Sequence, residues 1–133
     1  MTDVVTDTHA LIWYLANDQR LGHAARASFE ASDRGEISIY LPTICLVEIV
    51  YLEEKGRIPS NLKARLDAVL KAGSSGLITA DLTAEIVHAM GSVSRSDVPD
   101  MPDRIIAATA LHLRLALISK DRKIELSSVS TIW

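Results

Sequence analysis

Short apolar runs alternate along the chain with segments in which apolar residues recur every three or four positions. The runs are typical of strands buried on both faces, and the three-to-four spacing is typical of amphipathic helices. Strands are predicted at residues 4–5, 37–41, 77–79 and 115–119, with a candidate edge strand at 129–133. Helices are predicted at residues 9–16, 22–32, 43–55, 62–70, 82–90 and 102–113. This alternation predicts an α/β fold: one domain over residues 1–133, a three-layer α/β/α sandwich with a central parallel sheet of four to five strands.

The pattern is clearest between residues 101 and 121. Pro102 suits the first turn of a helix, which places Asp103 at the helix start. The helix that follows is apolar on most of its circumference and should be buried. Asp121 comes just after the predicted strand 115–119, as Asp7 comes after the strand at 4–5. Ligands of such sheets bind outside the carboxyl ends of the strands, so both aspartates are predicted to face a ligand crevice.

Glu48 lies inside an apolar helix, in the segment LVEI at 46–49. No lysine or arginine stands three or four positions away on the same helix, so Glu48 has no helical ion-pair partner. A carboxylate is costly to bury unless it is paired or bound to a metal ion. Glu48 is therefore a candidate site residue.

Each acid also has a structural interpretation. Asp7 could cap a helix, Asp103 could complement a helix dipole, Asp121 could begin a turn, and Glu48 could pair with Arg104. Four converging carboxylates, however, would repel one another unless a cation lay among them. Oxygen ligands favour Mg²⁺ or Mn²⁺, and the chemistry that such a site supports is phosphodiester hydrolysis.

Composition and charge narrow the choice of function. The formal net charge of −3 counts against a protein that coats nucleic acid by general positive charge. Arg104 and Lys120 lie beside the acids, and both are candidate phosphate contacts. Cys45 is the single cysteine, which suits a reducing cytoplasm. No leader sequence is apparent and no apolar run is long enough to span a membrane.

Two other phosphate-handling motifs are excluded. The segment GSSG at 73–76 lacks the lysine and the following helix of a phosphate-binding loop. A phosphatase of the haloacid dehalogenase type needs a second aspartate two residues after the first, whereas Asp7 is followed by Thr8 and His9. His9 could contact a phosphate or a carboxylate, or it could simply pack in the first turn of its helix.

Four segments together resemble PIN-domain nucleases, and VapC-type toxins in particular. They are DTHALIWYL at 7–15, LVEI at 46–49, DVPDMPDRIIAATAL at 97–111 and LISKDRKIELSSVSTIW at 117–133. The resemblance implies a PIN-like fold and a cytoplasmic, homodimeric endoribonuclease that uses Mg²⁺ or Mn²⁺ to cut RNA. It also implies a cognate VapB-type antitoxin. The alternatives are a PIN-domain nuclease in RNA processing unrelated to toxicity and a catalytically silent PIN-fold binding module.

By this resemblance the catalytic, metal-binding acids fall on Asp7, Glu48, Asp103 and Asp121. Asp100 matches a further acid three residues before the third of these, and it could instead be a helix cap. Ser119 matches a hydroxyl residue two positions before the fourth acid. One departure concerns Cys45, where relatives often carry Ser or Thr. A thiol is a weaker hydrogen-bond partner, so the resemblance predicts weaker support for the Glu48 carboxylate.

Overall fold

The computed structural model describes all 133 residues and contains one parallel sheet. Its strands are β1 (Val4–Thr6), β2 (Ile39–Pro42), β3 (Leu77–Ala80), β4 (Ala116–Ile118) and β5 (Thr131–Ile132). They lie in the order β3-β2-β1-β4-β5, and every neighbouring pair is parallel. The predicted α/β class and five-stranded sheet are confirmed, including a short edge strand within residues 129–133.

Seven α-helices connect the strands or follow them. They are α1 (Thr8–Leu15), α2 (His23–Asp33), α3 (Thr43–Glu54), α4 (Leu62–Ala72), α5 (Ala84–Ala89), α6 (Met101–Leu113) and α7 (Arg122–Glu125). The six predicted helices lie within two residues of their expected bounds, while α7 and a 3₁₀ turn at Met90–Ser92 were not predicted. None of the helices is long and apolar enough to cross a membrane.

The sheet is covered on both faces, because successive residues of a strand point to opposite sides. Val4 belongs to a core cluster that contains Leu11 of α1, Phe29 of α2 and Leu66 of α4. Its neighbour Val5 belongs to a second cluster, built around the apolar side of α6. In the two clusters, helices pack against opposite faces of the sheet, as expected of a three-layer sandwich.

The path of the chain places a crevice between β1 and β4. From β1 the chain moves outward through β2 to β3, and then returns to add β4 on the other side of β1. Asp7 directly follows β1, and its N–H donates to the carbonyl of Ile118 at the end of β4 (3.1 Å). Such a change of direction is where ligands bind in open α/β sheets.

Candidate active site

Three of the predicted acids begin helices. The side chain of Asp7 accepts a hydrogen bond from the N–H of Ala10 (2.9 Å) at the start of α1. Asp121 accepts from the N–H of Lys123 (2.9 Å) at the start of α7, and Asp100 accepts from the N–H of Asp103 (3.3 Å) at the start of α6. A cap of this kind uses one carboxylate oxygen and leaves the other free for a ligand. The capping interpretation and the site interpretation of these residues are therefore compatible.

A cavity of about 440 Å³ opens at the carboxyl ends of β1 and β4, which we call the acidic cavity. It is lined by Asp7, His9, Trp13, Arg20, Asp103, Lys120 and Asp121. The structure thus brings three of the four predicted catalytic acids into one cavity. The fourth, Glu48, lines a separate, largely apolar groove with Met101 and Pro102.

Asp103 lies at the electrostatic centre of the site. Burial, and then the negative charges of Asp100, Asp121, Glu48 and Asp7, raise the pKa of its carboxyl group to about 7. All the other predicted acids therefore lie close enough to act on this one carboxyl group. A bound cation would reverse that effect, because it favours the ionised form of each ligand.

The pKa of Asp7 is raised, because burial outweighs the hydrogen bonds to its carboxyl group. Burial raises the pKa of its carboxyl group, while the Ser119 hydroxyl, the Ala10 N–H and the charge of His9 act in the opposite direction. Ser119 is itself buried, and its hydroxyl oxygen accepts from the N–H of Asp121 (3.1 Å). The hydroxyl predicted to orient a neighbouring acid thus lies between the acids that follow β1 and β4.

Glu48 is half-buried, so the expectation of a fully buried carboxylate is corrected. Its Oε1 accepts a hydrogen bond from the Thr8 hydroxyl (2.5 Å). Burial raises the pKa of Glu48, and this hydrogen bond opposes the rise. Cys45 instead directs its Sγ to the carbonyl of Thr6 (3.9 Å). The support that a Ser or Thr at position 45 would give to Glu48 comes from Thr8.

None of the four predicted catalytic acids forms an ion pair with a basic side chain. Glu48 in particular does not pair with Arg104. The donor set is made only of carboxylate oxygens, which is the set that a hard divalent cation prefers. No three acidic, histidine or cysteine side chains form a ready-made coordination sphere. Like charges keep such groups apart until a cation lies among them, so the donor chemistry fits Mg²⁺ or Mn²⁺.

The sequence between residues 4 and 129 matches the family model of the PIN domain. This chain belongs to the PIN domain family. It is similar to Ribonuclease VapC22 of Mycobacterium tuberculosis, with 29% identity over 124 residues that cover 93% of this chain and 91% of that protein. These matches agree with the residue patterns that carried the sequence resemblance.

Solved structures of similar fold include VapBC2 from Rickettsia felis bound to a DNA fragment from its promoter. That structure has a TM-score of 0.72 and 17% identity, and the match covers 99% of this chain and 98% of the other. A toxin–antitoxin complex from Klebsiella pneumoniae has a TM-score of 0.65 and 20% identity, covering 98% and 96% of the two chains. At these identities the structural likeness shows the fold of this PIN domain.

The structure does not bring Arg104 into the acidic cavity of this PIN domain. Its Nε donates to the carbonyl of Val93 (2.8 Å), and its Nη2 donates to the carbonyl of Met90 (2.9 Å). Neighbouring residues on a helix point about 100° apart, so adjacency to Asp103 in sequence does not imply a shared direction. Of the two predicted phosphate contacts, Lys120 therefore lines the cavity and Arg104 does not.

Two cavity residues had no signal in the sequence analysis. Trp13 has the spacing of a core residue of α1, and Arg20 follows the break between α1 and α2. In the PIN domain, the Arg20 guanidinium carbon and the Lys120 Nζ each lie 4.7 Å from the centroid of the Trp13 ring. Only the tertiary structure joins residues 13, 20 and 120 in one place.

Proposed function

We propose that this PIN domain is a metal-dependent endoribonuclease, the toxin of a VapBC-type toxin–antitoxin pair. One observation carries the proposal: the half-buried carboxylates of Asp7, Asp103 and Asp121, none of them in an ion pair, line one cavity at the point where the sheet changes direction. Unpaired acids in such a position cost free energy, which a bound cation offsets. The similarity to Ribonuclease VapC22 supports RNA as the substrate.

We assign the ion, Mg²⁺ or Mn²⁺, to Asp7, Glu48, Asp103 and Asp121, with Asp7 and Asp103 as its principal ligands. When bound, such an ion polarises a phosphoryl oxygen and lowers the pKa of an attacking water. The chain itself orients the carboxylates that would hold the ion. Helix caps hold Asp7 and Asp121, and the Thr8 hydroxyl holds Glu48. With its carboxylate held there, Glu48 would share the ion or orient that water.

Asp100 and Ser119 have supporting roles in this proposal. Asp100 adds negative charge beside Asp103 and caps α6, while the Ser119 hydroxyl orients the acids on either side of it. We further propose that the single domain, residues 1–133, forms a cytoplasmic homodimer and binds a VapB-type antitoxin. The similarity to the two solved toxin–antitoxin structures supports the antitoxin as a partner.

The test is cleavage of single-stranded RNA by the purified protein with Mg²⁺ and with chelator. Cleavage should require the cation and should be lost in Asp7→Asn, because asparagine still caps a helix but is a poor ligand for a hard cation. Asp81→Asn is the matched control: Asp81 also follows a strand, β3, at this edge of the sheet, yet it lies outside the acidic cavity. Its activity should be unchanged.

Undiminished cleavage in chelator would remove the cation from the mechanism. A protein that neither cuts RNA nor gains thermal stability with Mg²⁺ would instead be a catalytically silent binding module. Growth arrest on expression, relieved by the product of a small neighbouring reading frame, separates a toxin from a nuclease of RNA processing.

A further inference from the structure

Two cationic side chains lie over the ring of Trp13 at the wall of the acidic cavity. The Arg20 guanidinium and the Lys120 ammonium each stand 4.7 Å from its ring centroid, within the range of cation–π attraction. Trp13 is largely buried, so its ring contributes a fixed surface and not a mobile side chain. We call Trp13, Arg20 and Lys120 the cation clamp. Resting on the nuclease function proposed above, we propose that the cation clamp binds the phosphate backbone of RNA beside the acidic cavity.

Both cationic side chains of the clamp have N–H donors that make no hydrogen bond within the protein. Lys120 lines the same cavity as three aspartates, yet it donates no side-chain hydrogen bond and forms no ion pair. Arg20 directs Nε and Nη2 to Asp18, which leaves its Nη1 without a partner. Both cations lie over the ring of Trp13, and neither forms an ion pair with Asp7, Asp103 or Asp121.

The charges around the acidic cavity require a local attraction for phosphate. RNA must bring a negatively charged backbone to a site built from carboxylates, in a chain whose formal charge is −3. Attraction for phosphate must therefore be local, because the overall charge opposes it. With Arg104 engaged by backbone carbonyls, Arg20 and Lys120 are the cationic side chains that line the acidic cavity.

A second indole, that of Trp133, supports the ring of Trp13. Trp133 contacts it edge-on, with 5.8 Å between the ring centroids. The backbone oxygen of Trp133 accepts from the N–H groups of Ala24 and Ala25 (3.0 and 3.3 Å) at the start of α2. A clamp that is already ordered loses less entropy when a phosphate binds, which favours affinity.

The proposal is tested by RNA binding in the cleavage-deficient Asp7→Asn background. Fluorescence anisotropy with a labelled single-stranded RNA should show about tenfold weaker binding for Lys120→Met and for Arg20→Gln. Each variant should also lower the slope of log affinity against log salt by about 0.7, the value for one lost phosphate contact on a single strand. Trp13→Leu should reproduce both losses, and Trp13→Phe, which keeps a ring face, should show a smaller loss.

Two matched controls separate the clamp from general charge. Lys123 is exposed three residues beyond Lys120 but lies outside the cavity. Arg34 pairs with Glu36 through two hydrogen bonds, as Arg20 pairs with Asp18, but at the far end of α2. Lys123→Met and Arg34→Gln should bind RNA as the Asp7→Asn parent does. Equal affinity and equal salt slope in Lys120→Met and Lys123→Met would overturn the proposal.

The outcomes also separate the clamp from the proposed nuclease activity. Loss of RNA affinity in Lys120→Met with Mg²⁺ binding retained in otherwise wild-type protein supports the clamp. Tighter Mg²⁺ binding in that variant with unchanged RNA affinity would mean that Lys120 merely offsets the carboxylates, which overturns the proposal. If the wild-type protein cuts RNA but Arg20→Gln and Lys120→Met do not weaken RNA binding, only the clamp proposal fails. If it binds RNA through them without cutting it, the nuclease function alone fails.

Discussion

The two ends of the central sheet carry cavities of comparable size and opposite chemistry. The acidic cavity, of about 440 Å³, has Trp13 as its single apolar side chain. The other cavity, of about 310 Å³, lies where β4 and β5 begin, and its lining includes Ala110, Leu111, Ala116 and Val129. We call it the amino-end cavity. No carboxylate lines it, so a cavity by itself does not mark the site.

The difference follows from the direction of the strands and helices. Because each parallel strand leads into a helix, helix N-termini collect at the carboxyl end of the sheet. Their free N–H groups and positive dipole ends favour the acids that cap them, as Asp7, Asp100 and Asp121 do. At the other end α6 finishes at Leu113, where the last helix carbonyls lack helical partners and a nearby acid would gain nothing from the helix dipole.

The largest expected effect comes from Asp103→Asn. Cleavage should fall by about 10²–10³-fold, because the variant removes one of the two proposed principal ligands of the ion. Its stability should change in the opposite sense. Since the pKa of Asp103 is raised to about 7, the folded protein keeps a proton that the unfolded chain releases above its ordinary pKa of 3.8. Wild-type stability should therefore fall as pH rises from about 4 to about 7.

Asparagine does not ionise, so Asp103→Asn should escape that loss. In chelator at pH 8, urea unfolding should show a gain of about 1–2 kcal/mol after allowance for solvent screening, and the gain should shrink toward pH 4. Mg²⁺ should stabilise the wild type more than the variant. Asp81→Asn, outside the cavity, should change neither property. A variant less stable than wild type in chelator at pH 8 would contradict the electrostatic account of the carboxyl end.

The acids themselves were predictable because they follow local rules. Asp7 and Asp121 come after apolar runs, and Asp103 follows a proline at a helix start; each of these is read within a few residues of sequence. Glu48 stood out because its helix offers no basic partner. The caps, the strands and the switch of direction then bring the three aspartates into one cavity, so spacing and topology were enough to predict most of the candidate site.

The remainder of the site depends on contacts between distant residues. Trp13 and Lys120 are more than a hundred residues apart in sequence, and neither pattern nor composition links them. Arg104 was misplaced because sequence adjacency to Asp103 says nothing of the loop whose carbonyls it binds. Helix α7 has only four residues, which is too short for an apolar period to be visible.

The next largest effect is expected from Gly22→Ala, on stability. A Cβ at position 22 would lie 2.3 Å from the backbone oxygen of Trp133 and 2.5 Å from its Cδ1, so backbone must move. We expect a loss of about 1–3 kcal/mol in the free energy of unfolding, measured in urea. Weaker RNA binding should accompany it, because Trp133 supports Trp13. Gly91→Ala is the control, since nothing lies within 4 Å of its added Cβ, and it should be nearly neutral.

A smaller effect is expected from Thr8→Val, on catalysis. Valine has nearly the shape of threonine but lacks the hydroxyl that donates to Glu48. That hydrogen bond lowers the pKa of Glu48, so its loss should move the acid limb of the pH–rate profile to higher pH. Cleavage near neutrality should fall about tenfold, with partial recovery at higher pH.

Cys45→Ser is the companion variant for Thr8→Val. Serine is one of the residue types that the sequence resemblance predicts at position 45, but the Thr6 carbonyl already accepts from this position and Thr8 already supports Glu48. Its cleavage rate should stay within about twofold of wild type. A large gain from Cys45→Ser would mean that Thr8 does not supply the missing support.

The smallest effect is expected at the amino-end cavity, from Arg114→Gly. Arg114 ends α6 in the left-handed conformation (φ 58°, ψ 41°), which strains a residue with a Cβ and suits glycine. Because glycine also makes the unfolded chain more flexible, the net gain in stability should be about 0.5–1 kcal/mol. Asn17, which has φ 51° after α1, is the control: asparagine tolerates this conformation, so Asn17→Gly should gain less.

RNA cleavage should be unchanged in Arg114→Gly, since the side chain lines the cavity that has no carboxylates. A changed cleavage rate in a variant of equal or greater stability would mean that the two ends of the sheet are coupled. The amino-end cavity could then not be treated as independent of the acidic cavity.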